Sequence, residues 1–404
     1  MITEEMRVNC AAVVISSIPR HHYPEQQTSN CETRPEYRRP AIFISTLAQW
    51  RMIAAIGNTG MGARLHAQEV QVASDGKPGE ATADDDWTPL NLSESATPEN
   101  FEEGAYLDAN PDVAAAVRAG QLASGRVHFD AFGPHEGRRV RVPAPRMEAL
   151  RQAKLRRLEP LLRSDMRRMM RDGRPDYLSD ELIAATRIVE TENVSSNAYD
   201  STIQALIERH RHGLVLDCGA GRRDVYFPNV VNFEIVAYDT TDVLGVGEAL
   251  PFRDASFDAV ISLAVLEHVR DPFQCASEIS RVLKPGGELL CATPFLQPLH
   301  GYPHHYFNMT CQGLPRLFED HLSVEQVSVP PAGHPAFALH WILTNWAAGL
   351  TVADRSFFAD LTIGQILANA PQELAGQPFS RLSADAIQEL ACAFMLSARK
   401  PLGD

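Results

Sequence analysis

The chain has 404 residues, 45% of them apolar, enough for a sizeable core and, at roughly 100–200 residues per domain, two or three domains. A formal charge of −14 argues against a general DNA or RNA binder, which needs a basic face to displace phosphate counterions. Seven cysteines with no Cys-x-x-Cys pair fit reduced thiols in a cytoplasmic protein, and no apolar run reaches the ~20 residues that span a bilayer.

Residues 1–96 read as largely disordered or linker. Met1 to Pro40 mixes Pro, Arg, His and Gln without period, and Asp75 to Pro98 is rich in Gly, Asp, Thr, Ser and Pro. The apolar stretch Ala41 to Gly57 between them reads as one helix, interrupted for membrane purposes by Gln49 and Arg51. Met52 and Met61 are alternative starts, and the N-terminus lacks the basic start and apolar core of a signal peptide.

Residues 97–140 read as a small helical module. Asn110-Pro111 puts proline at a first helical turn with Asp112 near the positive helix end, and Gly120 stops that helix. Ser124 caps a second short helix carrying Val127, Phe129 and Phe132, ended by Gly133. The pattern Phe101, Tyr106-Leu107, Asn110-Pro111-Asp112-Val113, His128-Phe129, Phe132-Gly133 and Glu136-Gly137-Arg138 resembles a module that recurs in bacterial glycosyltransferases and other glycan-assembly proteins. That likeness implies a neighbourhood of glycan-assembly partners rather than a reaction.

Residues 141–212 read as helical, a lid over a catalytic mouth or plain packing, from Leu150, Leu155, Leu158, Leu161 and Leu162 and later Ile203, Leu206 and Ile207. The cations from Arg146 to Arg171 read as the solvated face of an amphipathic helix.

Residues 213–404 alternate apolar strands and helical stretches, which predicts a parallel sheet with helices on both faces. Leu214-Val215-Leu216 runs into Asp217-Cys218-Gly219-Ala220-Gly221, a glycine turn at a strand's C-terminal end where no Cβ keeps a ligand from the backbone. The strand Val230 to Ile235 follows. Its Glu234 lies at about the spacing where a carboxylate accepts ribose hydroxyls in dinucleotide folds. The connection Arg222 to Asn229 is too short for the usual crossover helix and predicts a turn. A strand near Val243 to Val246, the strand Phe257 to Ser262, a helix from Asp271-Pro272 to about Leu283, and a strand Leu289 to Ala292 complete the series.

The order Asp-Cys-Gly-Ala-Gly (217–221), Leu-Pro-Phe (250–252), Phe-Asp-Ala-Val-Ile-Ser (257–262), Leu-Glu-His-Val (266–269) and Arg-Val-Leu-Lys-Pro-Gly-Gly (281–287) resembles the type 11 methyltransferases among class I S-adenosylmethionine-dependent enzymes. The likeness spans 214–294, and Phe394 to Lys400 is similar to the family's closing strand. It implies a Rossmann-like α/β fold with a mostly parallel seven-stranded sheet and S-adenosylmethionine as cofactor. Carried over by residue, Asp217, Cys218, Gly219, Ala220 and Gly221 cradle the methionine part. Glu234 binds the ribose, Val246, Gly247 and Glu248 lie along the adenine, and Leu263 sits near the methyl. The family often has Asp where Val246 stands, so an adenine hydrogen bond is missing or comes from elsewhere.

His300, His304 and His305 fall in the segment expected to border the acceptor. They are the candidate general bases, because imidazole titrates near neutrality and can take a hydroxyl proton. Purely structural packing competes with that reading, as does a metal site. None is expected, since no cysteine or carboxylate is arranged nearby in sequence. The expected reaction is methyl transfer to an oxygen of a saccharide or glycan intermediate, with a small metabolite, quinone or lipid as other acceptors. A non-catalytic S-adenosylmethionine-binding scaffold and a nucleotide-dependent dehydrogenase compete. The incomplete Gly-x-Gly-x-x-Gly at Arg222 to Asp224 disfavours the dehydrogenase.

Overall fold

The computed structural model describes residues 87–189, 198–301, 304–369 and 371–396. The expectations for residues 1–86, including the helix at 41–57 and the alternative starts, lie outside the described residues, as do 397–400 of the closing strand. In chain order the strands are β1 (Leu90–Asn91), β2 (Ser93–Ser95), β3 (Arg139–Arg141), β4 (Met169–Arg171), β5 (Arg174–Asp176), β6 (Val215–Cys218), β7 (Val225–Tyr226), β8 (Val230–Glu234), β9 (Val243–Leu244), β10 (Phe257–Leu263) and β11 (Leu283–Ala292). The helices that matter below are α1 (Glu103–Ala109), α2 (Pro111–Arg118), α3 (Gly125–Ala131), α4 (Met147–Leu158), α5 (Asp180–Thr186), α6 (Ser201–Arg209) and α7 (Pro272–Val282).

The main sheet has seven strands in the order β11-β10-β6-β8-β9-β5-β4, parallel except for the β4–β5 hairpin. Side chains alternate across it as the two-residue pleat requires. Val215, Val230, Ala259 and Ile261 pack under Ile203, Leu206 and Ile207 of α6. Leu216, Val231 and Val260 face the other way, into a core with Leu158 of α4 and Ala276, Ile279 and Val282 of α7. Helix α7 starts where Asp271 accepts from Gln274 N at 3.0 Å with Pro272 at the first turn, and its buried stripe Cys275, Ala276, Ile279, Val282 follows the helical period.

Several expectations need correction. The stretch 141–212 is not helical throughout, because β4 and β5 join the main sheet's edge through Asp176 opposite Leu244. Residues 87–96 are built into the fold rather than left as linker. Leu90–Asn91 pair antiparallel with Val225–Tyr226, and β2 pairs with β3. Phe394, Met395 and Leu396 form no strand and are exposed. The basic stretch is not simply a solvated face. Arg151 and Lys154 are buried, and Lys154 Nζ sits 2.7 Å from Asp242 Oδ2 and 3.8 Å from the Tyr226 ring centroid.

The helical module 97–140 has the caps its sequence predicts: Ser124 Oγ accepts from Val127 N at 3.2 Å, and Pro111 opens α2. Tyr106, Val113, Phe129 and Val140 form its core. The buried Arg138 donates from Nη1 to both oxygens of Asp112 at 2.8 Å and from Nε to Glu136 Oε2 at 2.7 Å.

Candidate functional site

The site lies at the carboxyl ends of the parallel strands, where open α/β sheets leave a crevice. Strand β6 ends at Cys218, and the chain turns through Gly219 (φ 82°) and Gly221 (φ 64°), backbone positions that other residues rarely adopt. A Cβ on Gly219 would stand 2.4 Å from Val265 Cγ2, so this turn has no room for a side chain. The turn is tied to the neighbouring strand: Gly219 N and Ala220 N donate to Phe233 O at 2.9 and 3.1 Å, and Gly221 N donates to Glu234 Oε2 at 2.8 Å. Glu234 also accepts from Ile235 N at 2.7 Å, and burial raises its carboxyl above the usual range.

Asp217 is fully buried. Its Oδ2 accepts from Tyr199 OH and from the buried guanidinium of Arg223, whose Nε lies at 3.0 Å, while its Oδ1 has no partner among the described residues. Arg223 lies in the loop just after Gly221, one residue before Asp224 at the third-glycine position, and its charged plane lies 4.1 Å from the Tyr199 ring centroid. The connection 219–229 holds no helix, as its length predicts. The short strand β7 takes its place, covered by β1, with Trp87 Nε1 donating to Asn229 Oδ1 at 3.1 Å. Arg222 fastens the turn to the helical module through Asp108 Oδ2 at 2.8 Å and to Asp239 at 3.0 Å.

Val246, Gly247 and Glu248 follow β9, the next strand along. Val246 is buried. A Cβ on Gly247 would meet Cys275 Sγ at 2.6 Å, which pins this segment against α7. Glu248 accepts from Arg270 N at 3.1 Å, and burial raises its carboxyl. Leu263 ends β10, half-buried.

After β10 the chain passes through Ala264, at φ 55°, and lays Val265 against Gly219. It then buries Glu267 completely. Neither Glu267 carboxylate oxygen has a hydrogen-bond partner among the described residues, and burial pushes its pKa up to about 8. The backbone carbonyl of Glu267 accepts from Tyr306 N at 2.7 Å, which brings the histidine segment over this loop.

Of the three expected histidines, His300 and His305 gather here, their ring centroids 4.2 Å apart, and His268 joins them at 5.4 and 5.7 Å. His304 turns away, its Nε2 on Arg187 O at 2.9 Å. Hydrogen bonds assign the tautomers. His268 Nδ1 lies 2.7 Å from His304 O and His300 Nδ1 lies 2.9 Å from Pro298 O, so both Nδ1 atoms donate and both Nε2 atoms keep a lone pair. His305 Nδ1 accepts from His300 N at 3.0 Å and its Nε2 donates to Asn308 Oδ1 at 3.0 Å, leaving it no spare nitrogen. Burial lowers the His300 pKa to about 4. Glu267 and His268 were not singled out from sequence as site residues. Their signal was the Leu-Glu-His-Val motif, which carried only the likeness.

Residues 218–291 match the family model described as a methyltransferase domain. An uncharacterized methyltransferase from Mycobacterium avium is 46% identical over 70 residues, 17% of this chain and 28% of that protein. A probable S-adenosylmethionine-dependent methyltransferase from Mycolicibacterium smegmatis is 51% identical over 45 residues, 11% of this chain and 18% of that protein. A solved S-adenosylmethionine-dependent methyltransferase from Thermotoga maritima aligns at 22% identity and a TM-score of 0.23, over 29% of this chain and 67% of that one. The chain thus spans under a third of the curated relatives' length.

Proposed function

We propose that this chain is an S-adenosylmethionine-dependent methyltransferase acting on an oxygen of a saccharide or glycan intermediate. The observation that carries the reading is the side-chain-free turn at Gly219 and Gly221, clamped to Glu234 at the end of the adjacent strand. These residues fit the cofactor on two counts: the turn's left-handed glycines give backbone access, and buried Asp217 Oδ1 is an acceptor without a donor among the described residues.

When bound, S-adenosylmethionine supplies an electrophilic methyl on a sulfonium. Asp217 and the turn would hold the methionine part, and Glu234 would accept the ribose hydroxyls with the lone pairs left by its backbone donors. The protein's own work is alignment and exclusion of water. On the acceptor side, His268 and His300 offer Nε2 lone pairs able to take a hydroxyl proton. The saccharide acceptor is supported by the likeness of residues 97–140 to a glycan-assembly module, which packs against the cofactor turn through Asp108 and Arg222.

A second reading, a binding scaffold without turnover, is favoured by one feature: Arg223, from the loop just after Gly221, already engages the carboxylate of Asp217. Titration calorimetry with S-adenosylmethionine and S-adenosylhomocysteine, followed by methyl-transfer assays on bacterial saccharides, separates the two. Binding lost in Asp217→Ala and Glu234→Ala, with turnover in the wild type, is the expected result. Binding without turnover on any acceptor supports the scaffold, and no binding by folded wild type refutes the proposal.

A further inference from the structure

We infer that Glu267, His268 and His300 form a divalent-metal site of the zinc type, with three protein ligands and an open position for water or another oxygen ligand. One donor atom from each residue lies within 4.8 Å of the others. The donor set of two imidazoles and one carboxylate is that of catalytic zinc sites, which leave the fourth position to water or substrate.

Three independent features point to a cation. The first is Glu267, whose two oxygens are enclosed without a hydrogen bond or a compensating Lys or Arg among the described ion pairs. A buried carboxylate is ordinarily paired or bound to metal, because desolvation of the bare charge is costly. The second is the tautomers. His268 and His300 each donate Nδ1–H to a backbone carbonyl, the outer-shell arrangement that fixes a metal-binding imidazole and aims its Nε2 inward. His268 Nε2 faces Glu267 Oε1 at 3.7 Å. The third is rigidity: Tyr306 N on the Glu267 carbonyl and Gly301 against His268 hold the two loops together.

Zinc ligands at about 2.0–2.2 Å from the ion stand roughly 3.3–3.6 Å apart in a tetrahedron. Binding therefore needs the three groups to close by on the order of 1 Å, within reach of side-chain rotation. The two imidazoles and the carboxylate are borderline donors, which suit zinc better than magnesium or calcium. His304 and His305 are not ligands, since His304 points elsewhere and His305 uses both nitrogens. The metal reading set aside from sequence spacing returns here because the carboxylate arrives from a distant loop. The site stands whether or not the chain transfers methyl groups. If it does, a bound ion would hold the acceptor oxygen directly, in place of proton abstraction by free imidazole.

The test is zinc titration of the untagged, chelator-treated full chain, read by calorimetry and by the visible bands of a cobalt-substituted sample. Expected are a site that fills at one ion per chain and intense cobalt bands of a four-coordinate centre. Glu267→Gln and His300→Ala should weaken that site by more than about a hundredfold, the upper range seen even for outer-shell partners. His304→Ala should change it only a few-fold, with circular dichroism checking each fold. Absence of such a site in folded wild type, or zinc binding that survives Glu267→Gln and His300→Ala alike, overturns the assignment. Methyl-transfer failure with zinc bound as expected would count against the function alone.

Discussion

Replacing Gly219 by alanine probes the cofactor turn with two separable costs. The backbone must hold an L-residue at φ 82°, which costs about 1–2 kcal/mol. The new methyl must also displace Val265, whose Cγ2 and Cγ1 would lie 2.4 and 3.0 Å away. Val265 is branched at Cβ, so rotation exchanges one methyl for another and gives little relief. Overpacking of this kind costs about 1–3 kcal/mol. The sum, about 2–5 kcal/mol, is a large part of a typical domain's stability. Gly173→Ala is the control, because its φ of 76° carries the backbone cost and nothing lies within 4 Å of its Cβ. In urea unfolding, Gly219→Ala should lose more than Gly173→Ala, and adding Val265→Ala should return part of the difference. Equal losses for the two alanines would refute the packing argument.

Two further substitutions test the buried charges. Lys154→Met removes the hydrogen-bonded ion pair of the fully buried Asp242, which keeps Arg151 Nε at 3.6 Å, Tyr226 OH and, at 2.9 Å, Asn232 N; a loss of about 1.5–3 kcal/mol is expected, with partial recovery on adding Asp242→Asn. The same lysine sets a pH dependence, since burial lowers its folded pKa to about 8 while the unfolded value stays near 10.4. Between those values the unfolded chain holds more protons, so this lysine's contribution to stability rises with pH from about 8 to 10.4 and falls again as pH drops through 8. Unfolding curves of wild type and Lys154→Met across this window should diverge in that direction, and parallel curves would contradict it. Arg138→Lys keeps the charge but cannot hold Asp112 through Nη1 and Glu136 through Nε at once, so the module at 97–140 should lose about 1–3 kcal/mol in thermal unfolding, and an unchanged midpoint would count against the double contact as a structural tie.

Much was legible before any coordinates. The glycine turn after β6, the alternating strands at 215–218, 230–234 and 257–263, the Ser124 and Asp271-Pro272 helix starts, and the absence of a helix between Arg222 and Asn229 all depend on neighbours in sequence. Their causes are local: backbone freedom at glycine, the pleat, capping oxygens and chain reach. The same reasoning singled out Glu234 by its spacing after the glycine turn, whereas the expected role of Asp217 came only with the family likeness.

Other features were decided by which distant residues met. The hairpin at 169–176 reads as part of a helical stretch until Asp176 finds Leu244 at the sheet edge. Arg151 and Lys154 read as surface charge until Asp242 arrives beneath them. Arg223 and Tyr199 converge on Asp217 from opposite sides of it in sequence, and only their approach shows that the loop after Gly221 supplies a buried ion pair. Among the histidines, spacing offered three equal candidates, while tautomers set by backbone carbonyls leave His300 with a free nitrogen, add His268, and discard His305. Local pattern determines where strands, turns and caps form, because those energies depend on nearby residues. The partner of a buried polar group is chosen by packing across the whole chain, so the site's electrostatics belonged to the tertiary structure alone.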